Sequence, residues 1–118
     1  MLILIAEDDE LILKTIEHKL VKEGYEVILT RNGKDAIETI QNTQIDLIIT
    51  DIMMPFASGI EILAAVQSAG KKTPVIMLSS MGQEEVVLNA FSLGAADFIV
   101  KPFSPSELIL RIKRFAAN

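Results

Sequence analysis

Four short apolar runs in this chain each end on a side chain capable of chemistry. Glu7, Asp8 and Asp9 follow Leu2-Ile3-Leu4-Ile5-Ala6; Asp51 follows Leu47-Ile48-Ile49-Thr50; Ser79 follows Val75-Ile76-Met77-Leu78; Lys101-Pro102 follows Phe98-Ile99-Val100. Three or more carboxylates brought to one edge repel one another unless a cation sits among them, and an all-oxygen set with free positions is what magnesium prefers. A divalent metal, a lysine ammonium and a hydroxyl around one carboxylate would neutralise and position three phosphoryl oxygens. Asp51 could then attack phosphorus as a nucleophile. Each residue also has a plainer reading. An Asp after a strand caps the next turn, acidic runs are solvated turns or helix-start charges, Ser79 can be a loop residue, and Lys-Pro is an ordinary exit from a strand. Their joint occurrence at four strand ends favours the chemical reading.

Those residues need a scaffold that delivers strand ends to one edge. Five apolar runs, near 2–6, 26–30, 47–50, 74–78 and 97–100, alternate with five helical patterns. That alternation predicts an α/β fold, doubly wound, with a five-stranded parallel sheet and helices on both faces. Ligands in such sheets bind outside the carboxyl ends of the strands, where the strand order reverses. Ile12, Ile16 and Leu20 repeat at helical spacing until Gly24 stops the first helix. Asn32-Gly33 opens a second helix, carrying Ala36, Ile37 and Ile40 and ending in the polar turn at 42–44. Ser58-Gly59-Ile60-Glu61 has capping-box spacing for a third. A fourth runs from Glu84 to Leu93 and closes at Gly94, and Ser104-Pro105-Ser106-Glu107 starts a fifth that reaches about Ala116. His18, the sole histidine, has no second His or nucleophile beside it and reads as a surface or boundary residue.

At 118 residues with half of them apolar, the chain fits a single domain over 1–118. Without cysteine it has no disulfide framework, thiolate zinc site or cysteine nucleophile, and its composition suits a reducing cytosol. The apolar N-terminus lacks a basic flank and meets Glu7-Asp8-Asp9-Glu10 after six residues, too soon for a signal peptide or a membrane span. A cytoplasmic protein without membrane association is therefore expected. A net charge of −5 disfavours direct nucleic-acid binding, which rests on cationic contacts to phosphates, and suits metal ions or a protein partner.

The ordered set Glu7-Asp8, Asp51 with Met54-Pro55 and Gly59, Ser79, and Lys101-Pro102-Phe103 resembles the receiver (CheY-like) domain of bacterial two-component response regulators, over about residues 2–115. The resemblance implies a flavodoxin-like (βα)5 fold with strand order 2-1-3-4-5. It implies that Asp51 accepts a phosphoryl group from a histidine kinase or phosphotransfer protein. Asp8, Asp51 and the backbone carbonyl of Met53 would hold magnesium, with Glu7 acting through a metal-bound water. Ser79 and Lys101 would bind phosphoryl oxygens, and Lys101-Pro102 would be a cis peptide. Phe98 would swing inward as Ser79 moves, remodelling the face of helix four, strand five and helix five in a population shift. Such a protein is a switch, not an enzyme with an external substrate; it catalyses only its own phosphorylation and slow dephosphorylation. Asp9 reads as helix-start charge.

From Asp97 to Arg111 the chain is closest to the regulators that attach a winged-helix DNA-binding domain. In that subfamily phosphorylated receivers dimerise through the helix-four, strand-five and helix-five face, and Asp97 with Arg111 would supply a cross-chain ion pair that orients more than it binds. Gln83-Glu84-Glu85-Val86-Val87-Leu88 lacks the basic residue common there. Met53 and Met81, two residues after Asp51 and Ser79, stand where polar side chains are frequent. Neither thioether orients an attacking water, which predicts slow self-dephosphorylation.

Three alternatives compete. A metal-dependent phosphatase forming an aspartyl-phosphate needs a second Asp where this chain has Met53. A flavin or dinucleotide binder needs a Gly-rich or hydroxyl-rich loop after strand one, where this chain has Glu7-Asp8-Asp9-Glu10. A phosphate-independent docking module, a pseudo-receiver, needs no intact site.

Overall fold

The computed structural model describes residues 1–80 and 83–116, and the structural statements below concern those residues. Strands and helices alternate: β1 (Leu2–Ala6), α1 (Glu10–Lys22), β2 (Glu26–Thr30), α2 (Gly33–Asn42), β3 (Leu47–Asp51), α3 (Gly59–Ser68), β4 (Val75–Ser79), α4 (Glu84–Ser92), β5 (Asp97–Val100) and α5 (Pro105–Ala116). All five strands pair in parallel, in the order β2-β1-β3-β4-β5. The doubly wound flavodoxin-like expectation is borne out.

Because successive strand residues point to opposite faces, each continuous apolar run feeds two cores at once. Ile3, Ile5, Leu47, Ile49, Ile76, Leu78 and Ile99 meet α1 and α5 through Leu13, Ile16, Leu20, Leu108 and Ile112. Leu4, Ala6, Ile48, Val75 and Met77 meet α2, α3 and α4 through Ala36, Ile40, Ile62, Leu63, Val66, Val87 and Ala90. The sheet is thus a two-sided wall that fixes which residues emerge at its edge.

Strands three and four each run one residue further than the sequence pattern places them. Asp51 pairs with Leu78 and Ser79 with Val100, so the candidate nucleophile and the hydroxyl are the last residues of their strands. β4 begins at Val75 because Pro74 has no N–H to give; its carbonyl still accepts from Ile48 at 3.0 Å. Four helix starts carry side-chain caps, one of them a residue, Asp9, that the sequence pattern marks only as helix-start charge. Asp9 accepts from the N–H of Leu11 and Ile12, Asn32 from Asp35, and Ser104 from Glu107, while Ser58 and Glu61 close a full capping box. α4 differs: it ends at Ser92, and its N-cap Gln83 makes no side-chain cap bond. No helix is long and apolar enough to cross a membrane.

Candidate functional site

The strand order reverses between β1 and β3, and the crevice outside their carboxyl ends is where Glu7, Asp8 and Asp51 converge. Each offers a carboxylate oxygen within 4.8 Å of the others. Glu7 is fully buried and Asp51 nearly so, whereas Asp8 is exposed. Hydrogen bonds fix the buried pair: Glu7 donates its N–H to Thr30 O (3.1 Å) and accepts at Oε2 from Asp9 N–H (3.1 Å). Asp51 Oδ1 accepts from Met53 N–H at 3.3 Å.

Lys101 arrives from the end of β5. Its Nζ lies 2.6 Å from Asp51 Oδ2 and 2.6 Å from Glu7 Oε1. A single ammonium therefore serves two buried carboxylates with a third beside them, and the charge set is left negative. Burial pushes the Glu7 carboxyl up to about 7; the Lys101 ammonium opposes this and the Asp51 charge adds to it. Burial of Lys101 works to lower its pKa, but hydrogen bonds to Asp51 and Glu7 more than offset it, and the net direction is up. The Lys101-Pro102 peptide is cis, as the resemblance implied.

Ser79 completes the edge. It is 1% exposed, and its Oγ has no hydrogen-bond partner. A buried hydroxyl left unpaired costs on the order of 1–3 kcal/mol. Beside a carboxylate–ammonium pair, such a hydroxyl has its donor and acceptor capacity free for a ligand that enters the site. The residues present suit a magnesium ion and a phosphoryl group: oxygen donors with excess negative charge on one side, and an ammonium and a free hydroxyl on the other.

The sequence-derived switch residues lie next to this edge. Phe98 is half-buried and meets Phe91 edge-on, ring centroids 5.5 Å apart. Between α4 and β5 runs a groove of about 420 Å³ lined by Ser79, Val87, Leu88, Phe91, Phe98 and Val100 among others. Asp97 is buried and accepts from Arg111 (2.7 Å) and Arg114 (3.0 Å) of its own chain, and from Phe98 N–H (2.8 Å). The sequence reading assigned Asp97 and Arg111 to a cross-chain pair and overlooked Arg114, although residues three apart on one helix share a face. Within this one chain the pair is already formed. Asp9, expected only to place charge at the helix start, is also the side-chain cap of α1; His18 is exposed on α1. Met81 lies outside the described residues.

Several known proteins are similar to this chain in sequence and in fold. The chain is 40% identical over 113 residues to the transcriptional regulatory protein DltR of Streptococcus agalactiae, covering 96% of the chain and 50% of DltR. It spans about half the length of the curated relatives it matches. Among solved structures, the chemotaxis response regulator CheY4 of Vibrio cholerae superposes with a TM-score of 0.88 at 34% identity, 97% of each chain being covered. The receiver domain of the sensor histidine kinase PA1611 of Pseudomonas aeruginosa superposes with a TM-score of 0.87 at 27% identity, covering 99% of this chain and 98% of that one; it carries a magnesium ion coordinated in its active-site cleft. A family model, the response regulator receiver domain, matches residues 3–113, a span that takes in both sides of the sheet and each of the site residues from Glu7 to Arg111, and the chain belongs to that family.

Proposed function

We propose that this domain is a magnesium-dependent phosphorylation switch in which Asp51 accepts a phosphoryl group from a histidine kinase or phosphotransfer protein. The observation that carries the reading is Lys101 Nζ held at 2.6 Å from both Asp51 and Glu7, beside the unpartnered Ser79 Oγ. An Asp51 oxygen forms the bond to phosphorus as the bond from phosphorus to the donor imidazole breaks. Lys101 exchanges part of its contact with the carboxylate for a phosphoryl oxygen, and Ser79 Oγ donates to another. Asp8, Asp51 and the backbone carbonyl of Met53 would hold the metal, with Glu7 behind a bound water. When bound, the ion neutralises charge on the phosphoryl oxygens and on the carboxylates. The magnesium ion coordinated in the active-site cleft of the PA1611 receiver supports a metal at this site.

The output follows from where Ser79 sits. Drawing its hydroxyl toward a phosphoryl group displaces the residue from which the α4–β5 groove is built, and Phe98 can then fill the vacated space. The remodelled face, with Leu88, Val100 and Leu110 exposed on it, pairs with a second receiver. The domain works in the cytoplasm, turns over no external substrate and makes no direct contact with nucleic acid.

Intact mass after incubation with magnesium and acetyl phosphate tests the reading. One phosphoryl adduct, absent in Asp51→Asn and absent with chelator, is the expected result. No adduct on protein that binds magnesium, with the small donor or with a histidine kinase, overturns it in favour of a docking module. Equal sedimentation of phosphorylated and unmodified protein at tens of micromolar would remove the dimer.

A further inference from the structure

Met53 combines two properties. Its backbone is fastened to the nucleophile, with N–H 3.3 Å from Asp51 Oδ1, and its side chain is 57% exposed. The other described methionines are shielded: Met77 is fully buried beneath Gly59, and Met54 and Met1 pack half-buried against the two cores. Met53 is therefore the described thioether that solvent-borne oxidants meet first, and it stands at the rim of the site.

Oxidation there changes one relevant property. A thioether sulfur is a weak hydrogen-bond acceptor on a flexible stem with three rotatable bonds. A peroxide transfers one oxygen atom to Sδ; sulfur loses two electrons, the O–O bond breaks, and water leaves, giving a polar sulfoxide that a reductase can reverse. The stem is unchanged in length, but its end becomes a strong acceptor two residues from the phosphoacceptor.

We infer that Met53 is a peroxide-sensitive modification site whose oxidation shortens the life of the phosphorylated state. Hydrolysis of the Asp51 phosphate needs a water aligned on phosphorus, with an acceptor for one of its protons. The Met53 thioether supplies none, and the sulfoxide oxygen supplies one. The backbone carbonyl of Met53 is untouched by the modification, so the effect falls on loss of the phosphoryl group more than on its acquisition. This inference rests on the phosphorylation of Asp51 proposed above.

The experiment uses the whole chain and begins by establishing the phosphoryl adduct on untreated protein; its absence there defeats the reading of Asp51 and this inference together. With the adduct in hand, protein is exposed to dilute hydrogen peroxide, mapped by peptide mass and phosphorylated, and decay of the adduct is followed with far-UV circular dichroism as a check on folding. Expected are oxidation at Met53 ahead of Met54 and Met77, and a half-life shortened roughly three- to tenfold, below the gain from a fully positioned acid or base. Methionine sulfoxide reductase restores the original half-life. Met53→Leu is unresponsive to peroxide, Met81→Leu responds like the parent, and Met53→Gln decays faster than Met53→Leu without any oxidant. An oxidised Met53 with unchanged half-life, equal shortening in Met53→Leu, or Met53 no more reactive than Met54 overturns the inference.

Discussion

Helices α3 and α4 pack on the same face of the sheet and flank the same site, yet they are held differently. α3 starts with a full capping box, is tied to the residue that directly follows β3 by Gly59 N–H to Ile52 O (2.9 Å), and buries Gly59, Ile62, Leu63 and Val66. α4 starts on Gln83, whose side chain caps nothing in the helix and turns back to accept Ser80 N–H at 2.6 Å; it buries only Val87 and Ala90 and leaves Leu88 66% exposed. One helix follows Asp51 and the other follows Ser79. Few buried apolar contacts and an uncapped end are what low-stability segments are made of. The Asp51 side is firmly held and the Ser79 side loosely held, an asymmetry that under the proposed function would let a small event at the site move one helix and leave the other in place.

The largest effect that bears on this contrast is at Gly59. A Cβ there would stand 2.7 Å from Asp51 O and 3.0 Å from Ile52 Cα, both backbone atoms that cannot turn aside. Gly59→Val is expected to cost about 3 kcal/mol, in the range of severe overpacking, measured by urea unfolding. Leu88→Ala on the exposed side of α4 should stay within about 0.5 kcal/mol. Equal losses at the two positions would dissolve the distinction between the helices.

A second effect belongs to the fixed side and depends on pH. Glu7 has a pKa pushed up to about 7 from an ordinary 4.5, so the folded chain holds its proton more tightly than the unfolded chain does. The stabilisation is fully present below 4.5 and is lost as pH rises through 7. In chelator, unfolding free energy should fall from pH 4.5 to 7 and level off above it, and Glu7→Gln should flatten that slope. A slope unchanged by Glu7→Gln would place the titration elsewhere.

Strand ends were legible because strands buried on both faces read as unbroken apolar runs, and a polar side chain at the end of such a run stands out. Three of the helix starts were legible because Asn32, Ser58 and Ser104 announce their caps locally. What sequence did not disclose depends on contacts between distant segments. Nothing near Glu7 in the chain says that it is fully buried and shares Lys101 with Asp51 across 94 residues of separation in one case and 50 in the other. Arg114 joins Asp97 only because α5 folds back along β5. Gln83 looks like any polar residue before a helix, and nothing in its local sequence says that it accepts from Ser80 N–H.

Phe56 was equally silent. Its φ of 70° lies where side chains are strained, and it forms the centre of a tight turn in which Ala57 N–H donates to Pro55 O at 2.9 Å. The ring is 82% exposed and so loses little burial on removal. Positive φ costs a side chain about 1–2 kcal/mol, while glycine gives back about 0.5–1 kcal/mol through its freer unfolded chain. Phe56→Gly is therefore expected to raise stability by roughly 0.5–1 kcal/mol in urea unfolding, through relief of the strain at positive φ. A loss of stability would mean that the ring makes contacts the exposed geometry does not predict.

The smallest effect separates the two helix starts most directly. Ser58→Ala deletes an oxygen that satisfies Glu61 N–H and breaks the capping box, a loss of about 1 kcal/mol. Gln83→Ala deletes an acceptor as well, but the donor it serves, Ser80 N–H, belongs to an exposed residue that water reaches. Exchanging a protein acceptor for water there should cost only a few tenths of a kcal/mol, since the net worth of a hydrogen bond is small when the freed donor is resolvated. Amide hydrogen exchange reports the difference: Gln83→Ala should speed exchange at Ser80 and leave Glu61 unchanged, whereas Ser58→Ala should expose Glu61 and leave Ser80 unchanged. If Gln83→Ala instead cost as much as Ser58→Ala and sped exchange throughout α4, Gln83 would be holding the whole of that helix in place, and the Ser79 side of the site would be as firmly fixed as the Asp51 side.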